Sequence, residues 1–330
     1  MSKQCKELTL RATAKFLKKR DNFAILTHSS PDGDTLGAAY ALYYGLKAMG
    51  KKAEVLCPDI IPSKYSYFSF TTDHISGDNL TVVAVDVADS KLLGALGEEF
   101  GDRVELCIDH HISNTRYAEN LLLDSKASAA CEIIYELLVK LKAKINDVTA
   151  KALYTGIATD TGCFKYSNVT AKTHMIAAEL IKYDIDTAEI NRLMFDTKSK
   201  NLLQLEKMVL DTAEYHFNDK CILLAVTAEM QEKTGCSGPD LEGIAIISRS
   251  VEGVLAGITV KQIGEREFKI SLRTFPPLDA VQICGKLGGG GHKAAAGATV
   301  EGTLDEVKEK ILAAVGENME KANVWSSADK

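Results

Sequence analysis

Three consecutive ionisable residues, Asp109-His110-His111, directly follow the apolar run 104–108. Adjacent polar groups at the end of a buried strand are costly to place without partners. Three further segments that carry Asp or His also follow apolar runs, and they contain His28 with Asp32 and Asp34, Asp86, and Asp160. In an open α/β sheet, ligands bind beyond the carboxyl ends of the strands. The sequence therefore predicts that four separate segments converge on one polar site.

The fold class follows from short runs of Val, Ile and Leu that alternate with helical patterns through the first two hundred residues. This alternation predicts a mostly parallel sheet covered by helices on both faces. The predicted strands are 23–28, 53–57, 80–86, 104–109 and 120–123. The predicted helices are 3–19, 34–49, 126–144 and 146–158, with Asn146 as N-cap of the last, and helical patterns continue from 171 to 211.

The pattern changes after residue 211. Strands are predicted at 212–217, 220–227, 253–261 and 267–273, with a hairpin around Ile263-Gly264-Glu265. We expect a second, smaller α/β domain, with a cleft between it and the first. The predicted division is a first domain at 1–195, a helical connector at 196–214 and a second domain at 215–330.

The charge balance excludes several classes of partner. The 330 residues carry a net charge of −6, which argues against a broad cationic surface for long duplex nucleic acid or an anionic membrane. No apolar run reaches the roughly 18 residues of a membrane span, and the N-terminus lacks a secretory apolar segment. We expect a cytoplasmic protein.

The eight cysteines include no Cys-x-x-Cys pair, which indicates reduced, buried thiols and not a disulfide framework or a zinc site.

The segment 28–34 places one imidazole and two carboxylates on a short turn. Asp32 and Asp34 can face neighbouring metal ions if this segment is an irregular loop that bends at Gly33. The alternative is an ordinary Asp-Gly turn in which Asp34 caps the following helix. Asp86 likewise either bridges two cations or is a loop residue, and Asp160 alone indicates a cap or turn.

Together the clusters favour a metal site. The predicted ligands are His28, Asp32, Asp34, Asp86, His110 and Asp160. Their four carboxylates balance two divalent cations, and the oxygen-rich set with two imidazoles favours two manganese ions, with magnesium as the alternative. Ions roughly 3.5 to 4 Å apart can bind one bridging hydroxide and polarise a phosphoryl oxygen. The predicted reaction is hydrolysis of a phosphoester or phosphoanhydride.

A second unusual cluster is the glycine run Gly288-Gly289-Gly290-Gly291, which His292 follows. Four glycines let backbone N–H groups approach a phosphate closely, and His292 can donate to it. The alternative is a flexible linker, but the small residues of 293–297 are better suited to close packing. We therefore expect this segment to contact a phosphate or a base.

The cationic candidates for substrate binding are Arg116, Lys165 and Arg273. Arg273 ends a predicted strand shortly before the glycine run, so both could reach one cleft. The remaining histidines lack partners at a suggestive spacing and are expected to be structural or exposed: His74, His174 and His216.

These segments resemble, in order, the four motifs of the DHH phosphoesterases. The matching residues are 27–34, 85–86, Asp109-His110-His111 and 159–162. The glycine run with Ala294 to Gly297 resembles the signature of the DHH-associated C-terminal domain. The resemblance covers about residues 10 to 320. Within the first motif, Thr35 replaces a smaller residue that is often found there.

The resemblance implies roles for individual residues. His28, Asp32 and Asp86 would hold one manganese ion, and Asp34, Asp86, His110 and Asp160 the other, with Asp86 bridging. His111 would face the substrate phosphate as a donor or acid. Asp109 would orient the neighbouring imidazoles. Arg273 and the segment 288–292 would bind the nucleotide from the second domain.

The two-domain length most resembles the nanoRNase and pAp phosphatase group, which acts on short RNA oligonucleotides and small phosphorylated nucleotides. The closest alternative is a phosphodiesterase that cleaves pApA or cyclic di-AMP. A nucleotide-binding module that has lost catalysis is less favoured, because all six ligand positions are intact. A homodimer is compatible with each of these alternatives.

Overall fold

The computed structural model describes residues 5–75, 79–241 and 243–326. The chain divides into two compact units, Met1–Thr197 and Lys198–Lys330. Within the described residues each unit is built on its own six-stranded sheet. No helix in this part of the chain is both long and apolar enough to cross a membrane.

The first unit contains a parallel sheet. Its strands are β1 (Lys6–Glu7), β2 (Phe23–Leu26), β3 (Ala53–Leu56), β4 (Thr81–Val85), β5 (Leu106–Asp109) and β6 (Asn120–Leu123). They lie in the order β1-β6-β5-β4-β2-β3, and every paired strand is parallel to its neighbour. The chain runs outward from β2 to β3 and then returns to β4 on the other side of β2. The strand order therefore reverses between β2 and β4, where α/β sheets bind ligands.

Helices surround this sheet. They are α1 (Leu10–Lys19), α2 (Gly33–Ala48), α3 (Leu96–Phe100), α4 (Ala130–Leu141), α5 (Asp147–Asp160), α6 (Ala171–Leu180) and α7 (Thr187–Asn191), which a π-helical turn, Arg192–Asp196, follows. One face of the sheet packs through Ile25 and Val83 against α2, α4 and α5. The other face packs through Leu26 and Ala84 against the segment that contains α3. The predicted parallel sheet with helical cover is confirmed.

The structure corrects the predicted helix at 3–19. Among the described residues, Lys6–Glu7 form a short edge strand that pairs with β6, and the helix begins only at Leu10. Thr9 is its N-cap, since the Thr9 side chain accepts a hydrogen bond from the Ala12 N–H. Asn146 caps α5 as predicted, by accepting from the Thr149 N–H at 2.9 Å.

The second unit contains a mixed sheet. Its strands are β7 (Glu214–His216), β8 (Cys221–Val226), β9 (Ala256–Gln262), β10 (Glu267–Thr274), β11 (Gly290–His292) and β12 (Ala295–Glu301), and its helices are α8 (Lys200–Leu210), α9 (Ala228–Thr234), α10 (Ile244–Ile247), α11 (Ala280–Gly285) and α12 (Leu304–Lys321). The order is β11-β12-β10-β9-β8-β7. β8 and β9 pair in parallel, and the other pairs are antiparallel.

Two further features of the structure differ from the sequence prediction. The glycine run enters β11, which pairs with β12, although neither strand was predicted. Glycine and alanine have little strand preference of their own, so neighbouring strands impose this pairing. The helical pattern at 171–211 is also divided, into α6, α7, the π-helical turn and α8. The predicted hairpin around Ile263 is confirmed, because β9 and β10 pair antiparallel.

Candidate metal centre

The carboxyl ends of three neighbouring strands bring predicted ligands together. Asp86 directly follows β4, Asp109 ends β5, and His28 lies two residues beyond β2. Three sets of side chains have ligand atoms within 4.8 Å of one another: His28, Asp32 and Asp86; Asp34, His110 and Asp160; and Asp86, His110 and His111. All six predicted ligands therefore lie in one cluster. Asp86 belongs to two of the three sets.

Two helices supply the remaining carboxylates. Asp34 lies in the first turn of α2, and Asp160 is the last residue of α5. Two glycines allow the helices to approach closely. A Cβ on Gly33 of α2 would overlap the Thr159 side chain of α5, and a Cβ on Gly156 of α5 would overlap the Cys131 sulfur of α4. Gly33 is the first residue of α2, so its role is close packing and not the loop bend that we predicted.

The N-cap of α2 is Asp32, not Asp34. One oxygen of Asp32, Oδ1, accepts from the N–H groups of Asp34 and Thr35 at 2.9 and 3.0 Å. The alternative in which Asp34 caps this helix is therefore excluded. Asp34 instead accepts from the N–H groups of Ala130 and Cys131 at the start of α4, whose own N-cap residue makes no side-chain hydrogen bond. The Asp34 carboxylate thus accepts from helix-terminal N–H groups that an N-cap side chain would otherwise satisfy.

The two histidines of the cluster are oriented by backbone carbonyls. His28 Nδ1 lies 2.8 Å from the Ser29 oxygen, and His110 Nδ1 lies 3.2 Å from the Ala127 oxygen. Because carbonyls only accept, each Nδ1 carries the proton. The Nε2 atoms then face carboxylates: His28 Nε2 is 3.7 Å from Asp86, and His110 Nε2 is 3.5 Å from it. With Nδ1 held by a carbonyl, each imidazole would present an Nε2 lone pair to the cluster once Nε2 loses its proton, the arrangement typical of metal-ligating histidine.

Asp86 carries the clearest sign that this cluster can bind a cation. Its side chain is 3% exposed, and its Oδ1 is buried with no hydrogen-bond partner in the described part of the chain. Burial and the neighbouring Asp34 carboxylate raise the pKa of Asp86 to about 8. A buried carboxylate oxygen without a donor is costly. The donor set of carboxylates and imidazole Nε2 atoms fits a divalent cation at this position.

Asp160, His28 and His110 also have raised pKa values, whereas burial of Asp32 is outweighed by its interaction with His28, which lowers the pKa of Asp32. Burial and the charge of Asp34 raise the pKa of Asp160 to about 7. Burial opposes protonation of the histidines, but the nearby carboxylates of Asp32 and Asp86 outweigh it, so the pKa of His28 rises to about 9 and that of His110 to about 10. The cluster without cations therefore retains protons at neutral pH.

Asp109 is held in place by four donors. Its Oδ1 accepts from the N–H of His110 at 2.8 Å, the N–H of His111 at 3.2 Å and Nδ1 of His111 at 2.8 Å. Its Oδ2 accepts from Asn114 Nδ2 at 2.6 Å. Burial opposes ionisation, but the bonds to His111 and Asn114 hold the pKa of Asp109 below its usual value. Asp109 is thus an orienting residue, and the bond from His111 also raises the pKa of that imidazole.

His111 differs from His110 in exposure. The His111 side chain is 43% exposed and that of His110 is 12% exposed. Since Nδ1 of His111 is bound to Asp109, Nε2 is its remaining atom for a ligand or a proton.

The groups that support the cluster were not predicted from the sequence. Asn114, three residues after His111, could have been noticed as a polar residue beside the motif, but the Ala127 carbonyl and the Ala130 and Cys131 N–H groups have no sequence signal.

Two of the predicted substrate-binding residues of the second unit, Arg273 and His292, share one row of its sheet. His292 pairs with Ala295 across β11 and β12, and Ala295 pairs with Arg273 across β12 and β10. Residues directly opposite each other point to the same face. The structure therefore brings His292 and Arg273 to one face of this sheet, although neither β11 nor β12 was predicted.

The glycine run has a more specific geometry than an open loop. The N–H groups of Gly288 and Gly289 donate to the carbonyls of Gly285 and Cys284, so neither is left for a phosphate. Gly288 has φ +74° and Gly291 φ +147°, conformations that favour glycine. A Cβ on Gly289 or Gly291 would overlap β12. The glycine run is thus required for close pairing with β12, and a phosphate contact by residues 288–292 stays a prediction.

The other predicted cations and histidines have partners elsewhere. Arg116 forms an ion pair with Glu7, and Lys165 lies 5.9 Å from the centre of the Phe195 ring. The three remaining histidines contact Glu54 (His74), the Phe164 ring (His174) and Glu214 (His216). No described contact joins Arg116 to the six clustered ligands, so its proposed role in substrate binding gains no support.

Comparison with known proteins agrees with this architecture. The DHH family N-terminal domain matches residues 22–157, and the DHHA1 domain matches residues 218–321. The chain is 33% identical over 95% of its length, and 95% of the relative, to "Bifunctional oligoribonuclease and PAP phosphatase NrnA" of Thermus thermophilus. It is 25% identical to the protein of the same name from Bacillus subtilis, over 89% of this chain and 93% of the relative.

A solved structure has the same fold. It is an exopolyphosphatase-related protein from Bacteroides fragilis, with a TM-score of 0.84 and 23% identity, which covers 95% of this chain and 97% of that chain. This chain belongs to the DHH family. As a member of that family it is a hydrolase of phosphoester bonds, and the cluster around Asp86 is its candidate metal site.

Proposed function

We propose that this DHH protein hydrolyses short oligoribonucleotides to mononucleotides and pAp to AMP, with two manganese ions as cofactors. The buried, unpartnered Oδ1 of Asp86 supports the cofactor most directly, because it lies where two sets of ligands meet. The names of the Thermus and Bacillus relatives support the substrates.

The proposed ligand sets share Asp86. His28, Asp32 and Asp86 would hold one ion, and Asp34, Asp86, His110 and Asp160 the other. When bound, the ions supply a nucleophile at neutral pH and positive charge beside a phosphoryl oxygen. The backbone carbonyls of Ser29 and Ala127 keep Nδ1 of the two histidines protonated, so Nε2 can bind a cation.

His111 is the proposed acid. Asp109 holds its Nδ1–H at 2.8 Å and favours the protonated imidazole, so Nε2 can carry a proton towards the leaving oxygen. With 43% of its side chain exposed, His111 is accessible to a substrate. Arg273 and His292 would bind the substrate's phosphate groups, since a guanidinium forms paired charge-assisted hydrogen bonds to phosphate.

The test is a comparison of initial rates with manganese on five substrates under identical conditions: a 5′-labelled RNA dimer, a pentamer, a strand of about 24 nucleotides, pAp and cyclic di-AMP. We expect the dimer, pentamer and pAp to react and the long strand to be a poor substrate. Equal or faster cleavage of the long strand would indicate a long-strand exonuclease instead. A dominant rate on cyclic di-AMP or its product pApA would favour the alternative phosphodiesterase.

A further inference from the structure

A short segment of the first unit, residues 127–131, leads into α4 and binds ligands of one proposed ion. We call this ion, which Asp34, His110 and Asp160 would hold together with the shared Asp86, the second ion. The first carbonyl of the segment accepts from Nδ1 of His110 at 3.2 Å. The N–H groups of its last two residues donate to Asp34 at 2.5 and 2.9 Å. The segment thus holds two of the three ligands that belong to the second ion alone.

Asn168 joins the third of these ligands to the segment. Its Nδ2 donates to the carbonyl of Ser128 at 3.0 Å and to the carbonyl of Asp160 at 3.1 Å. Asp160 is the last residue of α5, so its carbonyl is one of those that have no partner within the helix. One side-chain amide therefore holds the end of α5 against the segment, and it restrains the residue that carries the third ligand.

Ser128 fixes the middle of the segment through its side chain. Its hydroxyl donates to Glu132 Oε1 at 2.5 Å and accepts from Thr173 Oγ1 at 3.2 Å. Ser128 and Glu132 are both fully buried, and Lys172 Nζ lies 3.8 Å from Glu132 Oε2. A buried carboxylate that lost its donor would be costly. The segment is therefore anchored to α4 and to the first turn of α6.

The ligands that belong to the first ion alone are held elsewhere. Nδ1 of His28 is bound by the Ser29 carbonyl, and Asp32 accepts from N–H groups at the start of its own helix. Among the described residues, no hydrogen bond joins either ligand to residues 127–131. A displacement of the segment should therefore affect the second ion more than the first.

We propose that Asn168 is a positioning residue for the second ion. By holding residues 127–131 against the end of α5, it keeps the ligand atoms of Asp34, His110 and Asp160 within 4.8 Å of one another. Asn168 acts through two backbone carbonyls and is not itself a ligand. The inference rests on the proposed function, because it takes the two ligand sets from there.

The main test compares manganese binding by Asn168→Ala and by Asn120→Ala in titration calorimetry. Asn120 is the matched control, because its Nδ2 donates to the Glu105 carbonyl at 2.8 Å and it begins β6, at the end of the sheet opposite the cluster. We expect Asn168→Ala to bind the second ion about tenfold more weakly, the lower end of the range for loss of a group that supports a ligand.

The affinity for the first ion should not change in Asn168→Ala, and neither affinity should change in Asn120→Ala. Unchanged binding of the second ion in Asn168→Ala would overturn the positioning role. Equal weakening of both ions would overturn it as well, because the segment binds ligands of the second ion only.

Stability and spectroscopy separate positioning from a general loosening of the fold. Asn168 is exposed, so with EDTA the melting temperature of Asn168→Ala should fall no further than that of Asn120→Ala. At a manganese concentration that just fills both sites of the wild-type protein, electron paramagnetic resonance of Asn168→Ala should show uncoupled ions. Excess manganese should restore the coupled spectrum and turnover. A wild-type spectrum at the lower concentration would contradict the proposal.

Asn168→Leu tests whether the donors or the volume of the side chain matter. Leucine is similar in size to asparagine but cannot donate to the carbonyls of Ser128 and Asp160. The affinity of Asn168→Leu for the second ion should therefore match that of Asn168→Ala. Wild-type affinity in Asn168→Leu would show that volume supports the site, and it would refute the role of the two hydrogen bonds.

Hydrogen exchange of the metal-free protein separates this inference from the proposed function. Peptides that contain residues 127–131 should exchange faster in Asn168→Ala than in Asn120→Ala, because the segment has lost a restraint. If the wild-type protein binds fewer than two manganese ions, the proposed cofactor fails, and this comparison still decides whether Asn168 holds the segment. Equal exchange in the two variants would overturn the positioning role.

Discussion

The two units of this protein present polar residues in different ways. In the first unit, the proposed ligand Asp86 directly follows β4, and Asp109 is the last residue of β5, so both lie at the carboxyl ends of parallel strands. In the second unit, Arg273 and His292 lie on the face of a sheet and become neighbours only through antiparallel pairing with Ala295. In the first unit, the positions of the strand ends alone determine which residues become neighbours. In the second unit, the register of three strands determines it.

The two arrangements also differ in how they are supported. Around the candidate metal centre, backbone groups hold individual side chains, as the N–H groups of Ala130 and Cys131 hold Asp34. On the second sheet, support comes from close backbone packing, as at Gly291, where a Cβ would overlap β12. Changes at the first site should therefore affect chemistry and metal binding, whereas changes at the second should affect substrate affinity.

The largest expected effect is at Asp86. Replacement by Asn keeps the size of the side chain and removes the charge that both proposed ion sites share. We expect turnover to fall by more than about 100-fold, because loss of a direct ligand should exceed the effect of losing an outer partner. Metal content measured by elemental analysis should also fall, with an unchanged circular dichroism spectrum. Retention of more than about a tenth of the wild-type rate would contradict the shared-ligand assignment.

His111 tests the division between metal binding and proton transfer. His111→Ala should retain two manganese ions and lose about 10² to 10⁴ in rate, the range for a positioned acid or base. His110→Ala is the matched control, because His110 is the neighbouring histidine with its Nε2 inside the cluster. It should lose an ion. If His111→Ala loses the ion and His110→Ala keeps it, the two roles are reversed.

Much of the first unit could be predicted because Asp86 and Asp109 end strongly apolar strands. The support for these residues could not, since the start of α4 meets Asp34 only after folding and the Ala127 carbonyl has no sequence signal. In the second unit, β11 and β12 were missed because glycine and alanine do not favour strands by themselves. Tertiary pairing overrides that local preference.

Arg273 tests the second region. Arg273→Ala should raise the KM for both pAp and the RNA pentamer by roughly 10- to 100-fold, the effect of lost hydrogen bonds between charged groups. Manganese affinity, measured by titration calorimetry, should not change. Lys233→Ala, on α9, is the control for loss of a positive charge elsewhere in the second unit. Weakened manganese binding in Arg273→Ala would mean that the second unit also shapes the metal centre.

Metal binding should depend on pH. The pKa of Asp86 is raised to about 8 and those of His28 and His110 to about 9 and about 10. Folded protein without metal thus keeps protons that the unfolded chain releases. For each group, the free energy of unfolding therefore falls as pH rises from the ordinary pKa of that group to its raised pKa in the folded protein. Cations must displace the same protons. We expect manganese affinity to rise by up to roughly tenfold per pH unit for each proton displaced.

The measurement is the melting temperature with EDTA and with manganese at pH 6, 7.5 and 9, compared at constant ionic strength. The increase produced by manganese should grow with pH, because the metal-free protein loses stability while metal affinity rises. Asp86→Asn cannot ionise at this position and should flatten the dependence. A manganese-induced increase that is the same at all three pH values would show that the cluster does not hold the displaced protons.

The smallest expected effect is a change in stability at one of two turns with left-handed backbone conformation. Gly162-Cys163-Phe164, just after Asp160, and Phe217-Asn218-Asp219 in the second unit both have φ between 54° and 61° at all three residues. Asparagine tolerates this conformation, whereas cysteine is strained in it by about 1 to 2 kcal/mol. Glycine removes that strain but loses more entropy on folding, by roughly 0.5 to 1 kcal/mol. Cys163→Gly should therefore stabilise the protein by about 0.5 kcal/mol.

Asn218→Gly is the matched change in the second unit and should not stabilise it, because Asn218 has little strain to relieve. Differential scanning calorimetry of the metal-free variants measures both. The Cys163 N–H donates to the Ala158 carbonyl at 2.7 Å through the backbone, so the turn should survive the substitution. If Cys163→Gly is destabilising, packing of the half-buried thiol outweighs the backbone strain. If Asn218→Gly gains as much as Cys163→Gly, residue type does not determine the cost of these turns.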